Sequence, residues 1–312
     1  MSEKITVLAI VGPTASGKTA LSVELAKRLN GEIISCDSMQ IYKGMTVGTA
    51  AVTEKEMQGV PHHLIGFASP LESFSCADYA EMAEKAIKDI HTRGKIPIFC
   101  GGTGLYLDTV LKGTRLSEAG KDDEYRKELS TRSHDELYRM LSEIDPEAAE
   151  KTHQNNVKRV IRALEIYHVT GKTKTQWDRQ SRADEAKYEV KIIGLDFRDR
   201  EKLYDRINKR VDEMLENGLL NEVKSLDCKE FRASTAAQAI GYKEILRYFD
   251  GDVSLEEATE EIKKASRNYA KRQLTWFRAN ENIEMIYPDE CPEDTDKFEF
   301  IVNSALNIIN VI

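Results

Sequence analysis

The residues Gly12-Pro13-Thr14-Ala15-Ser16-Gly17-Lys18-Thr19 have types and spacing that dictate a chemistry. They match G-x-x-x-x-G-K-[ST], a loop that cradles phosphate. Its backbone N–H groups turn inward, the N-terminus of the following helix adds positive potential, and Lys18 supplies a cation. The Thr19 hydroxyl is a hard oxygen ligand suited to Mg2+. The string specifies phosphate without saying which phosphate.

Other candidates carry two readings each. Asp37, in Cys36-Asp37-Ser38-Met39-Gln40, follows a short apolar run. At a strand end beside the phosphate loop its carboxylate could take a proton from a nucleophile or bind metal through water. It could equally cap a turn, as Asp-Ser pairs often do. Gly101-Gly102-Thr103-Gly104 would let backbone approach a ligand with one hydroxyl at hand, although a plain strand-to-helix turn explains it better. The Lys271 to Arg278 stretch, KRQLTWFR, joins phosphate-binding cations to base-stacking aromatics. A core-facing Trp276 on an amphipathic helix is the stronger reading from the residues alone. His62-His63 are adjacent and point apart on any regular element, so they do not make a metal pair.

These groups need elements to hold them. Ile5 to Val11 is apolar and β-branched, a buried strand running into the phosphate loop, and Leu21, Leu25 and Leu29 then recur at helical spacing before Asn30-Gly31. Glu32 to Cys36 and Ile96 to Cys100 predict further strands, with a helix over 77–92 between them. The alternation predicts an α/β fold: a P-loop NTPase-like, doubly wound parallel sheet with a helical insertion domain, its loops at the strand C-termini. From 116 to 187 only helical runs appear, including a Ser133/Glu136 capping box and a helix from Val157 closed by Gly171. Residues 1–115 and 188–312 are expected to form the discontinuous core. The strand Tyr188 to Leu195 rejoins it, and long helices follow, one opened by a Ser254/Glu257 capping box. Asn208-Lys209 is followed by Arg210-Val211 rather than an Asp, and no DxxG switch accompanies the loop, which argues against a GTPase or motor.

Composition is that of a soluble globular chain, 41% apolar and 31% charged. No run suits a bilayer, and the start Met1-Ser2-Glu3-Lys4 has no secretory or transit pattern, so no membrane association and a cytoplasmic location are expected. The scattered cysteines Cys36, Cys76, Cys100, Cys228 and Cys291 form neither a disulfide framework nor a zinc site. The net charge of −8 speaks against nucleic acid only until it is located. Residues 281–312 hold eight acids and one base, whereas 151–182 hold eight bases and two acids. A phosphate responds to the local field, so charge permits an RNA partner without requiring one.

Several strings in one order resemble the tRNA dimethylallyltransferase family over nearly the whole chain. They are GPTASGKT at 12–19, DSMQIYKGMTVGTA at 37–50, VPHHLI at 60–65, SFSCADY at 73–79 and GGTGLYLDTVL at 101–111. NVKRVIRALEIYHVTGK at 156–172, LYDRINKRVDEMLENGLLNEV at 203–223, QAIGYKE at 238–244 and KRQLTWFR at 271–278 follow. Gly66 departs from the acid that the family commonly carries after the PHH string, and the resemblance is to the bacterial form without a C-terminal zinc finger. The resemblance implies a dimethylallyl diphosphate donor held by Gly12, Pro13, Thr14, Ala15, Ser16, Gly17, Lys18 and Thr19, with Mg2+ on Thr19. It implies Asp37 as general base toward the N6 amine of an adenosine 3′-adjacent to the anticodon, and Thr103 as an active-site and tRNA contact. Further tRNA contacts implied are Ser38, Met39, Gln40, Arg126, Lys158, Arg159, Arg162, Gln238, Gly241, Tyr242, Lys243, Lys271, Arg272, Gln273, Trp276 and Arg278. The insertion would clamp the anticodon stem-loop, and a monomer with no obligate protein partner is expected. The competing readings are a prenyltransferase on free adenine nucleotides, a small-molecule kinase using Arg198, Arg200, Arg206 and Arg210 as a lid, and a non-catalytic RNA-binding module, against which the intact phosphate loop and Asp37 argue.

Overall fold

The computed structural model describes residues 4–111, 120–183 and 187–309. Six strands form one wholly parallel sheet: β1 (Ile5–Val11), β2 (Gly31–Cys36), β3 (His62–His63), β4 (Ile96–Gly101), β5 (Tyr188–Leu195) and β6 (Ile283–Ile286), in the order β3-β2-β4-β1-β5-β6. The expected α/β class is borne out. β1 lies between β4 and β5, with Leu8 beside Ile98 and Lys191, and Val11 beside Gly101 and Gly194. Because the strands are parallel, β1, β2, β4 and β5 all release their chains on one edge, where ligands of open α/β sheets bind.

Burial explains the strands. Val7 to Val11 are all buried, as are all six residues of β2, as sandwiching between helix layers requires. Leu21 and Leu25, one helical turn apart in the helix Lys18–Arg28, pack with Leu8, Ile10, Ile33, Ile98 and Ile193. Ile301, Val302 and Ala305 of the helix Lys297–Ile309 join the same cluster. The acidic C-terminal stretch is therefore no solvated tail, since it supplies edge strand β6 and a core-packed helix. β3 was not expected either. His62 and His63 pair with Ile33 and Ile34, and His63 Nε2 lies 2.7 Å from Glu32, which Arg93 and Lys95 also hold.

A second cluster, built from Ile41, Tyr42, Val211, Leu219, Phe231, Tyr242, Ile245 and Ile262, underlies the loops beyond β2. The chain divides into two compact units, Met1–Leu107 with Tyr188–Ile312, and Asp108–Lys187. The expected first boundary at 115/116 lies outside the described residues. The second unit is helical among its described residues. Leu129, Leu137, Leu141, Val160, Ala163 and Leu164 form its core, the Ser133/Glu136 capping box is present, and Gly171 (φ +68°) closes the helix Val157–Thr170. Its buried Glu165 accepts from Asp122 N (2.9 Å), Arg126 Nε (2.6 Å) and Arg162 Nη1 (2.5 Å).

Candidate active site

The phosphate loop is shaped by alternating backbone handedness. Ala15 (φ +61°) and Gly17 (φ +99°) adopt positive φ while Thr14, Ser16 and Lys18 do not, an alternation that turns successive N–H groups inward as an anion nest. Gly17 is the N-cap of the helix Lys18–Arg28 and offers no side chain, and the first turn holds no acid. The helix thus begins with uncapped N–H donors and an uncompensated positive end. Ser16 is buried, and its hydroxyl lacks a partner among the described residues.

A cavity of about 330 Å³ opens at this edge of the sheet. Its polar lining includes Thr14, Lys18, Thr19, Asp37, Ser38, Gln40, Arg210, Gln238, Lys243, Tyr269 and Arg272, and its apolar lining includes Met39, Met214, Ala239, Ile240 and Ile262. The Lys18 ammonium donates to Pro13 O at 2.6 Å, and burial pushes it down to about 8. Arg210 comes from the helix Arg200–Glu216. Burial lowers it too, its Nη2 reaches Ala50 O at 3.5 Å, and its buried Nε has no acceptor among the described residues. Two cations close together and short of partners make a site that an anion completes. One turn earlier on that helix, Arg206 Nε donates to Ala15 O (2.8 Å) and braces the loop.

Asp37 leaves β2 into the cavity, and its Oδ1 accepts from Met39 N at 2.9 Å. Both readings left open by its sequence context are thus present at once, a turn cap and a carboxylate facing the site. Thr103 works behind the lining. Its N–H donates to Cys36 O (3.1 Å) and its hydroxyl accepts from Ser38 N (3.1 Å), tying the β4 loop to the β2 loop. Tyr269, pushed up to about 12 by burial, also hydrogen-bonds the Thr103 side chain.

The helix Leu255–Arg278 supplies the far wall. Ala270, Gln273, Leu274 and Phe277 are its buried stripe near the end. Gln273 Oε1 accepts from Thr14 N (3.0 Å) and Nε2 donates to Gly102 O (3.0 Å), so one amide joins the phosphate loop to the β4 loop. A Cβ at 102 would lie 2.0 Å from Gln273 Nε2, so a larger residue there would push the Gln273 amide from this position.

The IPP transferase family model matches residues 40–280. The chain is 52% identical over 309 residues to the tRNA dimethylallyltransferase of Anoxybacillus flavithermus, covering 99% of this chain and 97% of that one. It belongs to the tRNA dimethylallyltransferase family. The corresponding protein of Halalkalibacterium halodurans is 52% identical over 91% of this chain and 90% of its own. Among solved structures, the full-length tRNA isopentenylpyrophosphate transferase of Bacillus halodurans superposes with a TM-score of 0.73 at 47% identity, covering 98% and 97% of the two chains. A eukaryotic dimethylallyltransferase acting on tRNA gives 0.80 at 33% identity, covering 98% of this chain and 78% of its own. The family and the transferase class expected from the sequence are borne out.

For a family member the expected site residues separate into groups. Thr14, Lys18, Thr19, Asp37, Ser38, Met39, Gln40, Gln238, Lys243, Arg272 and Gln273 share the one cavity. Trp276 is 39% exposed and lies over Gly104, while its neighbour Phe277 is the aromatic in the core. Lys271 is exposed over the Tyr204 ring, and Lys158 and Arg159 are exposed on the second unit. Four of the expected contacts are also bound to acids within the protein. Tyr242 is fully buried, with its hydroxyl on Glu222 (2.5 Å). Arg278 pairs with the buried Asp196 (2.6 Å), and Arg126 and Arg162 hold Glu165. Asp196, which ends β5 where P-loop enzymes often keep a metal-side acid, is taken by Arg200 and Arg278. The charged lining residue that the family reading passed over is Arg210, and that reading also passed over Met214, Ile262 and Tyr269. The signal for Arg210 was its spacing of four from Arg206 on a helix. Among the described residues no helix is long and apolar enough to cross a membrane.

Proposed function

We propose that this chain transfers the dimethylallyl group of dimethylallyl diphosphate to N6 of the adenosine 3′-adjacent to the anticodon of tRNA, releasing pyrophosphate. The observation that carries the proposal is that the phosphate cations, a carboxylate and an apolar wall line one cavity. A kinase needs the first, but an allylic diphosphate also needs somewhere dry for its hydrocarbon.

The diphosphate sits in the nest of residues 12–17, with Lys18 and Arg210 as counter-charges, and the allylic chain lies against Met214, Ile240 and Ile262. The acceptor adenine, splayed from its loop as single-stranded bases are commonly read, enters beside Ser38, Met39 and Gln40. The N6 lone pair attacks C1 of the allylic chain as the C1–O bond breaks. The bonding pair leaves on pyrophosphate, whose growing charge meets the loop N–H groups, Lys18 and Arg210. The N6 proton passes to Asp37, whose Oδ1 is steadied by Met39 N–H. The donor set suits Mg2+: the Thr19 hydroxyl and the Asp37 carboxylate are hard oxygens, and among the described residues no cluster of three or more His, Cys, Asp or Glu forms a protein cage. Bound through Thr19 and substrate oxygens, the ion would neutralise the leaving diphosphate. Lys158 and Arg159 on the insertion, and Lys271, Arg272 and Trp276 on the core, are assigned to the tRNA backbone and bases.

The test is incubation with Mg2+, dimethylallyl diphosphate and unmodified tRNA, read by nucleoside mass spectrometry. Prenylated adenosine in tRNA is the expected product. Prenylated AMP without tRNA product would move the enzyme to free nucleotides, and ATP hydrolysis without prenyl transfer would make it a kinase relative.

A further inference from the structure

Glu222 lies on the helix Leu219–Leu226 and does not line the cavity, yet it accepts five hydrogen bonds. Oε2 accepts from Thr46 N (2.7 Å), Thr46 Oγ1 (2.8 Å) and Val47 N (2.7 Å), and Oε1 from Gly48 N (2.9 Å) and the Tyr242 hydroxyl (2.5 Å). Burial alone would raise this carboxyl. The Gly48 and Val47 N–H groups and the Tyr242 and Thr46 side chains outweigh it and hold the group ionised. Three consecutive backbone N–H groups wrapped round one carboxylate fix a loop as firmly as a bound anion would.

The segment so held forms part of the cavity wall, through Gly48 and Thr49. Its far side is tied to the site itself: Gln40 Nε2 donates to Thr49 O and Ala50 O at 3.3 Å each. At Gly48 the wall is one backbone thick. A Cβ there would lie 2.6 Å from the Tyr242 ring and 2.9 Å from Leu219. Tyr242 and Leu219 belong to the same apolar cluster as Met39, Met214, Ile240 and Ile262, so Gly48 continues the apolar lining. Whatever places Gly48 therefore sets how far an apolar chain can extend.

We propose that Glu222 is a positioning residue for donor selection: by clamping residues 46–48 it fixes the Gly48–Thr49 wall that confines the cavity to a short allylic diphosphate. The proposal rests on the proposed function, because it takes the occupant to be an allylic diphosphate. Glu222→Gln keeps the shape but replaces one accepting oxygen with an amide donor that faces backbone N–H groups, so the clamp opens. Tyr242→Phe removes one of the five donors and leaves the ring packed under Gly48.

The experiment uses the full chain and three readouts. These are kcat and KM on tRNA with dimethylallyl diphosphate, the same with geranyl diphosphate, and the Kd of inorganic pyrophosphate by calorimetry. For Glu222→Gln the expected result is a pyrophosphate Kd within about twofold of wild type and a dimethylallyl KM raised about tenfold or more. The geranyl-to-dimethylallyl ratio of kcat/KM should rise by about tenfold, and Tyr242→Phe should move it the same way by roughly threefold. A Glu222→Gln protein with wild-type pyrophosphate affinity and unchanged KM and selectivity would overturn the proposal. If Glu222→Gln loses pyrophosphate binding and its melting transition together, Tyr242→Phe decides, and unchanged selectivity there also overturns it. A wild-type protein that binds pyrophosphate but prenylates no tRNA fails the proposed function first, a result visible before any variant is made.

Discussion

Burial pushes the Lys18 ammonium down to about 8, and Arg210 adds to that push. Cys100 and Asp37 oppose it, but the Cys100 thiol is itself raised by burial, which leaves Asp37 as the working counter-charge. Below pH 8 the free enzyme presents a cation to the diphosphate. Above it, binding must first take up a proton, so affinity falls by up to about tenfold per pH unit. The KM for dimethylallyl diphosphate should therefore be flat to about pH 7.5 and climb beyond 8. Pyrophosphate calorimetry in buffers of different ionisation enthalpy should show proton uptake above that point, and a flat profile to pH 9.5 would refute the argument. Asp37 gives a sharper test. Asn at 37 still accepts from Met39 N–H but is not a base, so Asp37→Asn should lower kcat roughly 10²–10⁴-fold with the donor KM within a few-fold. Sequence context left Asp37 divided between cap and base because neither partner, Met39 N–H nor cavity, is visible before the β2 loop is folded.

At the scale of elements, the helix Leu255–Arg278 shows what periodicity does and does not reveal. Its start was legible in the Ser254/Glu257 box, which the structure contains. Its buried stripe was legible too, since Ala270, Gln273, Leu274 and Phe277 stand at i, i+3, i+4 and i+7. A polar residue inside such a stripe marks a buried hydrogen-bonding role. The family motif drew Gln273 toward RNA instead, and it also moved Trp276, off the stripe, from the core that the residues alone favoured to the RNA side. What no local pattern carries is the partner, because Thr14 and Gly102 lie far away in sequence and meet Gln273 only through the sheet. Gln273→Leu would strand the Thr14 N–H and the Gly102 carbonyl in a dry site, at about 1–3 kcal/mol each. The expected result is a melting temperature lowered by several degrees together with weaker pyrophosphate binding. Trp276→Ala, on the exposed side, should leave both nearly unchanged and weaken tRNA binding. Equal melting losses in the two variants would contradict this division of the helix.

For the whole molecule, charge is sorted by use rather than by sum. The net −8 includes an acidic C-terminal stretch that is folded as β6 and a core-packed helix, and strand and helix were hidden there because acids at exposed positions diluted the apolar pattern. The basic stretch of the insertion is likewise mixed. Arg126 and Arg162 grip Glu165, whose own burial would raise it but which these arginines and the Asp122 N–H hold below the usual glutamate range. A depressed carboxyl stabilises above its unfolded pKa and loses that contribution as pH falls through the folded value, so the insertion should weaken in acid. Lys158 and Arg159 stand exposed one turn before Arg162. Two pairs of bases on related positions thus predict opposite phenotypes. Arg126→Ala leaves a buried carboxylate with one guanidinium fewer and should cost about 2–3 kcal/mol of unfolding free energy, read by denaturant melts of the full chain. Lys158→Ala with Arg159→Ala should leave melting and pyrophosphate binding alone, weaken tRNA binding, and shrink the slope of log K against log salt by about one per lost phosphate contact. The salt slope is the deciding quantity, because a merely destabilised insertion would bind less tRNA without changing how many counterions binding releases. An unchanged slope in the double variant would remove these two residues from the RNA surface and leave the insertion's partner to its other exposed bases.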